Sequence, residues 1–317
     1  MEETSQGNMA EIKQSIDSLL KTPEAFDTAI QFAIQSWHFE SNPEIFYKEG
    51  VRHETGIDGV EKDDIKARAW YAAAAERGHA AATDALAAFH AAGRGGLPRN
   101  DAEAARLLPI AAEARCARAQ RNLGIFYHDG RGGLEPDDAQ AAQWFRAAAA
   151  QGDAVAQFNL AYFHQHGLGG LTRSEAEAAR WYRAAAEQGS VRAACALGAL
   201  CADGRGGVRR DDAAAARWLV AAAGQGVPEA QHNLGVFYEL GRGGLPRDDV
   251  EAARWYGLAA SRGDPGGLAN LAFFHEHGRG GLAVDPGRAT ELYRTAAAQG
   301  SAFAIMRLRL SAPAGGA

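Results

Sequence analysis

The sequence predicts an all-α protein of stacked helical hairpins, and three observations carry this prediction. Apolar residues recur in register at a constant step of 37 residues over most of the 317-residue chain. Each repeat holds two stretches whose apolar residues follow the 3.6-residue period of a helix. A glycine-rich tetrad separates the two stretches in six of the repeats, as expected of a turn between helices. Such periods are typical of arrays in which each unit buries its apolar face against the next.

Three columns of residues define the step. The large apolar pairs are Trp70–Tyr71, Leu107–Leu108, Trp144–Phe145, Trp181–Tyr182, Trp218–Leu219, Trp255–Tyr256 and Leu292–Tyr293. A leucine column runs from Leu86 to Leu308, and a glycine column runs from Gly78 to Gly300 with Arg115 as its exception. Chance does not hold several columns in phase over this length, so the array is interpreted as a product of internal duplication.

The first helix of a repeat is best defined between residues 153 and 166. Its apolar residues Ala156, Leu160 and Phe163 lie at positions i, i+4 and i+7, on one helical face. Gly167, the first residue of the tetrad, suits the positive φ that often ends a helix. The later glycines of the tetrad permit loop conformations that side chains would forbid.

The second helix of a repeat begins at a capping residue. The capping column is Asp63, Asn100, Asp137, Ser174, Asp211, Asp248 and Asp285, all good N-cap residues. Three residues later, Glu103, Gln140, Glu177 and Glu251 predict capping boxes. The helix then carries the large apolar pair and ends at the glycine column. A lone hairpin exposes two apolar stripes, whereas a stack of hairpins buries them.

The N-terminal segment differs in composition from the array. All lysines lie before residue 67, and every later fixed cation is arginine. Ile12, Ile16 and Leu19 share a helical stripe, and Thr22 with Pro23 suits the start of a second helix. We therefore expect residues 1–55 to form a helical cap with a degenerate opening unit. Residues 56–310 are predicted to form the array, and residues 311–317 a disordered tail.

Composition argues against several classes of protein. A net charge of −6 without a basic run argues against nucleic-acid binding. No stretch approaches the roughly 18 uninterrupted apolar residues of a membrane span, and the first residues lack the apolar core of a signal peptide. We therefore expect a soluble, cytoplasmic monomer. Cys116, Cys195 and Cys201 match no zinc spacing and are interpreted as small apolar residues in a reducing compartment.

Three patterns resemble chemical sites, and each has a structural explanation. His164 and His166, like His275 and His277, are two residues apart and do not share a helical face. The paired acids at 137–138, 211–212 and 248–249 occupy helix starts, where carboxylates cap the helix and offset its dipole. The glycine tetrads follow a helix, whereas phosphate-binding loops follow a strand. The sequence therefore predicts no catalytic residue, no cofactor and no metal.

Two further features carry expectations about packing. An arginine column precedes the large apolar pair and comprises Arg106, Arg180, Arg217 and Arg254. We expect it to pair with acids of neighbouring repeats; the alternative is a basic stripe for an acidic partner. Pro109 falls inside a predicted second helix, which it should kink or break. In the same repeat Arg115 replaces the turn glycine and Cys116 the cap, through sequence drift or to bend the array.

Residues 228–263 resemble a known repeat family. They read PEAQHNLGVFYELGRGGLPRDDVEAARWYGLAASRG, which is similar to the Sel1-like pattern A-x-x-x-L-G-x-x-Y-x-x-G-x-G-V-x-x-D-x-x-K-A-x-x-W-Y-x-x-A-A-x-x-G. The chain departs from it by an extra loop glycine and by alanine or arginine where lysine is frequent. The resemblance covers about residues 56–310. It implies a right-handed α/α superhelical solenoid related to the tetratricopeptide fold and a role in assembling protein complexes, often in bacteria.

In tetratricopeptide-like arrays the first helix of each hairpin lines the concave surface, so partner contacts are expected on its face opposite the core. A near-constant asparagine column lies on that face. Asparagine is a mediocre helix former, so the column predicts hydrogen bonds to the neighbouring hairpin or amide contacts to a bound peptide backbone. The predicted partner-binding residues are Arg121, Asn122, Phe158, Asn159, Tyr162, His232, Asn233, Asn270 and Phe273.

Two classes of function follow. The sequence favours a non-enzymatic scaffold or adaptor that binds a protein segment in the concave groove, because similar contact residues recur at many equivalent places without a unique reactive cluster. A narrower form of this function is an inhibitory or immunity-type partner of a secreted bacterial toxin. The alternative class is a hydrolase that uses the groove as its active site.

Overall fold

The computed structural model describes residues 42–311, which form fifteen α-helices and no strand. The helices are α1 (Pro43–Thr55), α2 (Asp64–Ala75), α3 (Ala80–Ala92), α4 (Asp101–Glu113), α5 (Ala117–Asp129), α6 (Asp138–Ala150), α7 (Ala154–His166), α8 (Glu175–Glu187), α9 (Val191–Asp203), α10 (Asp212–Gly224), α11 (Pro228–Leu240), α12 (Asp249–Ser261), α13 (Pro265–His277), α14 (Pro286–Ala298) and α15 (Ala302–Ser311). The stripe predicted at Ile12, Ile16 and Leu19 lies outside the described residues. The domain limits drawn from composition stay a prediction.

The described chain divides into two compact units. The first ends at Ala156 and takes in Leu168–Leu171, and the second comprises Gln157–Gly167 and the residues from Thr172 onwards. In the first unit α1 packs on α2, α3 on α4 and α5 on α6, and α3 also contacts α5. In the second unit α9 packs on α10, α11 on α12 and α13 on α14, while α9 contacts α11 and α11 contacts α13. Hairpins therefore stack on their sequence neighbours in each unit, mainly by packing the second helix of one hairpin on the first helix of the next.

The capping column works as predicted, but the capping boxes are only half formed. Asp137 Oδ1 accepts a 3.0 Å bond from the Gln140 backbone N–H. The Asp137 N–H donates to the carbonyl of Tyr127 in the preceding helix at 2.8 Å. The second half of a capping box, in which the third side chain reaches back to the cap, has no free donor to meet. The side chain at that position is left to bond elsewhere.

In three of these helices the glutamate at this third position bonds the arginine column instead. Glu103 pairs with Arg106 at 2.6 Å, and Glu251 pairs with Arg254 at 3.2 Å, each three residues apart on the same helix. Arg180 pairs with Glu177 in the same way at 3.1 Å. The expectation that this column pairs with neighbouring repeats is therefore wrong. Residues at i and i+3 face each other on a helix, so the nearest carboxylate is the local one.

The glycine tetrads are structural turns, as the sequence predicted. Gly241 ends α11 with φ +64°, and Gly243 adopts φ +65° two residues later. A Cβ on Gly243 would lie 2.4 Å from the backbone oxygen of Asp212, at the start of α10 in the preceding hairpin. Gly132 approaches Asp101 in the first unit with the same geometry. The third residue of the tetrad thus permits the closest backbone contact between hairpins.

The arginine of the tetrad also bonds the preceding hairpin. Arg279 bonds both carboxylate oxygens of Asp249 at 2.9 and 3.0 Å and Glu239 at 2.6 Å, and its guanidinium lies 4.4 Å from the centre of the Phe274 ring. A bidentate, partly buried ion pair is stronger than an exposed one. Leu168 replaces the arginine in one tetrad, and there His128 Nδ1 contacts Asp138 at 2.6 Å instead.

Pro109 does not break its helix. Helix α4 runs from Asp101 to Glu113 with the proline inside it. Of the two effects expected of Pro109, a kink or a break, the break is therefore wrong. Ala104, Leu108 and Ala111, on both sides of the proline, are buried in the core of the first unit. This burial holds α4 together although one backbone hydrogen bond, worth about 1 kcal/mol net, is lost.

Arg115 keeps the backbone conformation of the glycine that it replaces. It adopts φ +61°, whereas Gly152 and Gly189, its equivalents in the next two repeats, adopt φ +89° and +88°. A left-handed conformation costs a residue other than glycine roughly 1–2 kcal/mol. The second repeat thus retains its turn but stores backbone strain.

We predict that Arg115→Gly raises the free energy of unfolding by about 0.5–1 kcal/mol, because removing the strain outweighs the extra freedom of glycine in the unfolded chain. The matched change Gly152→Ala should lower it by about 1 kcal/mol, since a Cβ there meets nothing within 4 Å and only φ opposes it. Urea denaturation followed by circular dichroism measures both. A destabilised Arg115→Gly variant would contradict the prediction.

Candidate functional site

The predicted partner-binding residues all lie on first helices, divided between the two units. Arg121 and Asn122 belong to α5 in the first unit. The others belong to the second unit, Phe158, Asn159 and Tyr162 on α7, His232 and Asn233 on α11, and Asn270 and Phe273 on α13. Tyr162 is exposed, and the other eight are partly buried. The predicted residues therefore lie at the surface or at its edge, outside the fully buried core.

In the first unit the predicted residues belong to a polar cluster. The Asn122 amide donates to the fully buried carboxylate of Asp84 on α3 at 3.0 Å, and Arg118 bonds the same carboxylate. Arg121 pairs with Asp153 at 3.1 Å and donates to the Asn122 side-chain oxygen. Both predicted residues thus already have partners within the unit, and the cluster joins neighbouring hairpins.

The asparagine column has the same role in the second unit. The Asn270 amide lies 3.1 Å from His232 Nε2 on the preceding hairpin. Burial lowers the pKa of His232, and the nearby Asp264 carboxylate opposes this only in part. The imidazole is therefore neutral at pH 7 and accepts the amide hydrogen. For Asn122 and Asn270 the hydrogen bond to a neighbouring hairpin, one of the two interpretations from the sequence, is confirmed.

Two aromatic residues of α7 border the first-helix face of the second unit. Phe158 packs on Tyr182, with ring centroids 5.6 Å apart, and 41% of Tyr162 is exposed. Phe158 and Tyr182 line a depression of about 560 Å³ with Val191, Cys195, Val227 and Pro228. Burial raises the pKa of the Cys195 thiol to about 12, so it is protonated at neutral pH. Arg192, Gln225 and Glu229 also line the depression, which therefore combines apolar and polar side chains around a protonated thiol.

Phe273 on α13 is the equivalent of Tyr162 in the repeat pattern. Its ring lies 6.2 Å from that of Phe303, and the guanidinium groups of Arg279 and Arg307 lie 5.8 and 5.6 Å from its centre. A cation near an aromatic face is stabilised by about 0.5–1 kcal/mol at an exposed site. Phe273 therefore packs between its neighbours and offers only part of its ring to a partner.

One histidine of each pair packs on an aromatic ring of its own helix. His166 stacks on Tyr162, and His277 stacks on Phe273 and contacts its carbonyl oxygen at 2.9 Å. Within residues 42–311 no group of three His, Cys, Asp or Glu side chains is arranged to hold a metal ion. All three cysteines are free thiols; Cys195 and Cys201 are buried, and Cys116 is partly buried. In that same part of the chain, no helix combines the length and the apolar character needed to cross a membrane.

The sequence did not predict a second depression in the second unit. It measures about 910 Å³ and lies between α8, α10 and the tetrad loop that joins α9 to α10. Arg180, Arg183, Arg209 and Arg210 line it, and the buried Cys201 lies at its base. A signal was present in the sequence, because the columns that contain Cys201 and Ala214 carry long side chains in all of the other repeats.

Comparison with known proteins assigns the fold. The Sel1 repeat family model matches seven consecutive segments, at residues 47–79, 80–115, 117–153, 154–190, 191–227, 228–264 and 265–301. Among curated proteins none matches the sequence.

Two solved structures resemble the chain closely in fold. One is a protective antigen present in uropathogenic Escherichia coli strains and displaying an SLR fold, with 27% identity, a TM-score of 0.66, and coverage of 95% of this chain and 67% of that one. The other is a Sel1 repeat protein from Oxalobacter formigenes, with 27% identity, a TM-score of 0.66, and coverage of 78% of this chain and 96% of that one. The predicted all-α solenoid of Sel1-like hairpins is thereby confirmed, and the chain belongs to the Sel1 repeat family.

Proposed function

We propose that this chain is a non-enzymatic scaffold that binds a protein segment along the first-helix face of its hairpins. The observation that carries the proposal is the exposed aromatic edge of α7. The Tyr162 side chain is exposed and is not part of the core. Phe158, on the same helix, borders the depression described above. Aromatic side chains anchored in such surfaces supply most of the binding energy at protein interfaces.

The rest of the face suits an extended segment. Asn159 and Asn233 are partly buried and lie one and three repeats along the asparagine column from Asn122. Their amide groups can both donate to and accept from a peptide backbone, while the depression near Phe158 takes an apolar side chain. Asn122, Asn270 and Arg121 are held by intramolecular bonds and would shape the face more than contact the partner.

Photo-crosslinking in the native host tests the site. A photoreactive phenylalanine analogue is placed at residue 162 on the first-helix face or at residue 173 in a tetrad loop. We expect residue 162 to capture a defined partner, and residue 173 to capture much less of it. Crosslinking of the partner from residue 173 alone would place binding on the loop edge.

Affinity measurements with the captured partner then test the anchors. Phe158→Ala with Tyr162→Ala should weaken binding by about 2 kcal/mol or more, as truncated anchors do. Arg173→Ala with Arg247→Ala, two exposed loop changes, should leave affinity within about twofold. Phe158 also packs on the core, so circular dichroism must show that the first variant is folded, and Tyr162→Ala alone is measured beside it. Greater loss with the loop changes would contradict the proposal.

A further inference from the structure

The depression between α8 and α10, called here the arginine pocket, lies in a repeat that lacks two long side chains found in the others. Cys201 occupies a column that elsewhere holds histidine or tyrosine, from His53 to His275. Ala214 occupies a column of lysine, glutamate, glutamine and arginine. Both small residues fall in the same repeat and both line the pocket. Its volume is about 910 Å³, against about 420 Å³ for the equivalent depression of the first repeat, where His53 and Lys66 occupy these columns.

Ala214 also changes the charge beside the pocket. In three other second helices the glutamate at this position bonds the arginine three residues later, as Glu251 bonds Arg254. Arg217 has no such partner, since residue 214 is alanine. Burial raises the pKa of the Cys201 thiol, and the positive charges of Arg183 and Arg217 oppose that rise, so both guanidinium groups act on the base of the pocket.

The acids at the pocket are already engaged. Asp211 caps α10 through the Ala214 N–H at 2.8 Å, and Asp212 bonds Arg242 at 2.7 and 3.0 Å. Asp212 lies farther from Arg210, at 3.4 Å. Within residues 42–311 neither Arg183 nor Arg209 forms an ion pair, and both are exposed. The pocket therefore has an excess of positive charge with guanidinium groups free to bind.

We propose that the arginine pocket binds an acidic segment of a partner protein, with aspartate or glutamate carboxylates on Arg183 and Arg209. Guanidinium groups bind carboxylates through two parallel hydrogen bonds, which makes arginine the residue suited to this contact. The volume admits several side chains rather than a single ion. The pocket lies on second helices, so this inference goes beyond the proposed first-helix site and can fail independently of it.

Fluorescence anisotropy of the full chain with a labelled peptide of alternating aspartate and glutamate tests the proposal. We expect saturable binding that weakens with salt, as ion pairs near a surface do. Arg183→Ala with Arg209→Ala should reduce affinity by about tenfold, since each lost contact is charge-assisted. The matched control is Arg247→Ala with Arg254→Ala, which removes the same charge from the following repeat and should change affinity less than about twofold.

A second variant restores the side chains of the other repeats. Cys201→Tyr with Ala214→Glu fills the pocket with residue types that these columns tolerate elsewhere, and it should abolish binding without loss of helicity. Failure of the unaltered chain to bind, equal losses in the pocket and control variants, or full binding by the filled variant would each overturn the proposal. Inorganic phosphate is added as a competitor. If it displaces the peptide at a concentration below the peptide's own dissociation constant, the ligand of the pocket is a free oxyanion and the peptide assignment is overturned.

Discussion

Replacing Gly243 with alanine is expected to lower the free energy of unfolding by about 3 kcal/mol. Two effects add. The residue adopts φ +65°, which costs alanine roughly 1–2 kcal/mol. Its new Cβ would also lie 2.4 Å from the Asp212 backbone oxygen and 2.7 Å from the Ala216 Cβ. Relieving such overlap requires backbone movement, and overpacking typically costs about 1–3 kcal/mol.

The adjacent residue provides the control for this prediction. Gly244 adopts φ +81°, but a Cβ there would meet nothing within 4 Å. Gly244→Ala should therefore cost only the conformational part, about 1 kcal/mol. Urea denaturation measures the free energy of unfolding of both variants. The difference between their losses gives the cost of the close contact between hairpins. Equal destabilisation would show that φ alone requires glycine and that the approach to Asp212 relaxes freely.

Replacing Asp84 with alanine is expected to lower the free energy of unfolding by about 3 kcal/mol. Its side chain is fully buried and accepts bonds from Arg118 and Asn122 on the next hairpin. Removing one member of a buried ion pair leaves the others desolvated and unpaired, which typically costs about 3–5 kcal/mol. The lower end is expected because 45% of the Arg118 side chain is exposed and can regain water.

Further variants separate the charge from the packing at Asp84. Asp84→Asn keeps the size of the side chain and an oxygen for the Asn122 amide, and should cost about half as much as alanine. Arg118→Ala combined with Asp84→Ala should cost less than the sum of the single changes, because the two residues share one contact. Additive losses, measured by the same denaturation, would show that the pair does not act as a unit.

The tetrad loops contain several of the bonds that join one hairpin to the next. Arg94 and Arg279 bond acids of the preceding hairpin and cover a phenylalanine of their own hairpin, at 4.4 Å in each case. Because these contacts occupy the loop arginines, the loops are structural elements. Surfaces with unpaired groups occur elsewhere, on the first helices near Tyr162 and on the second helices near Arg183.

The sequence by itself determined the helices, their ends and their pairing into hairpins. These features depend on local rules, namely the apolar period, the capping residues such as Asp137 and the positive-φ glycines such as Gly241. Such rules act within a few residues, so they can be identified from the spacing. The repetition of one unit then extended the prediction to the stacking of hairpins.

Only the tertiary structure decided which polar groups meet. Arg254 and Arg279 are both preceded by acids at short range, yet the first bonds an acid of its own helix and the second bonds acids of an earlier hairpin. The asparagine column likewise offered two interpretations, and Asn270 was settled by the position of His232 on the preceding hairpin. The arginine pocket lies where Cys201 and Ala214 replace the longer side chains of the other repeats. Contacts between hairpins depend on the rotation and spacing of helices in three dimensions, which side-chain packing sets and local spacing does not encode.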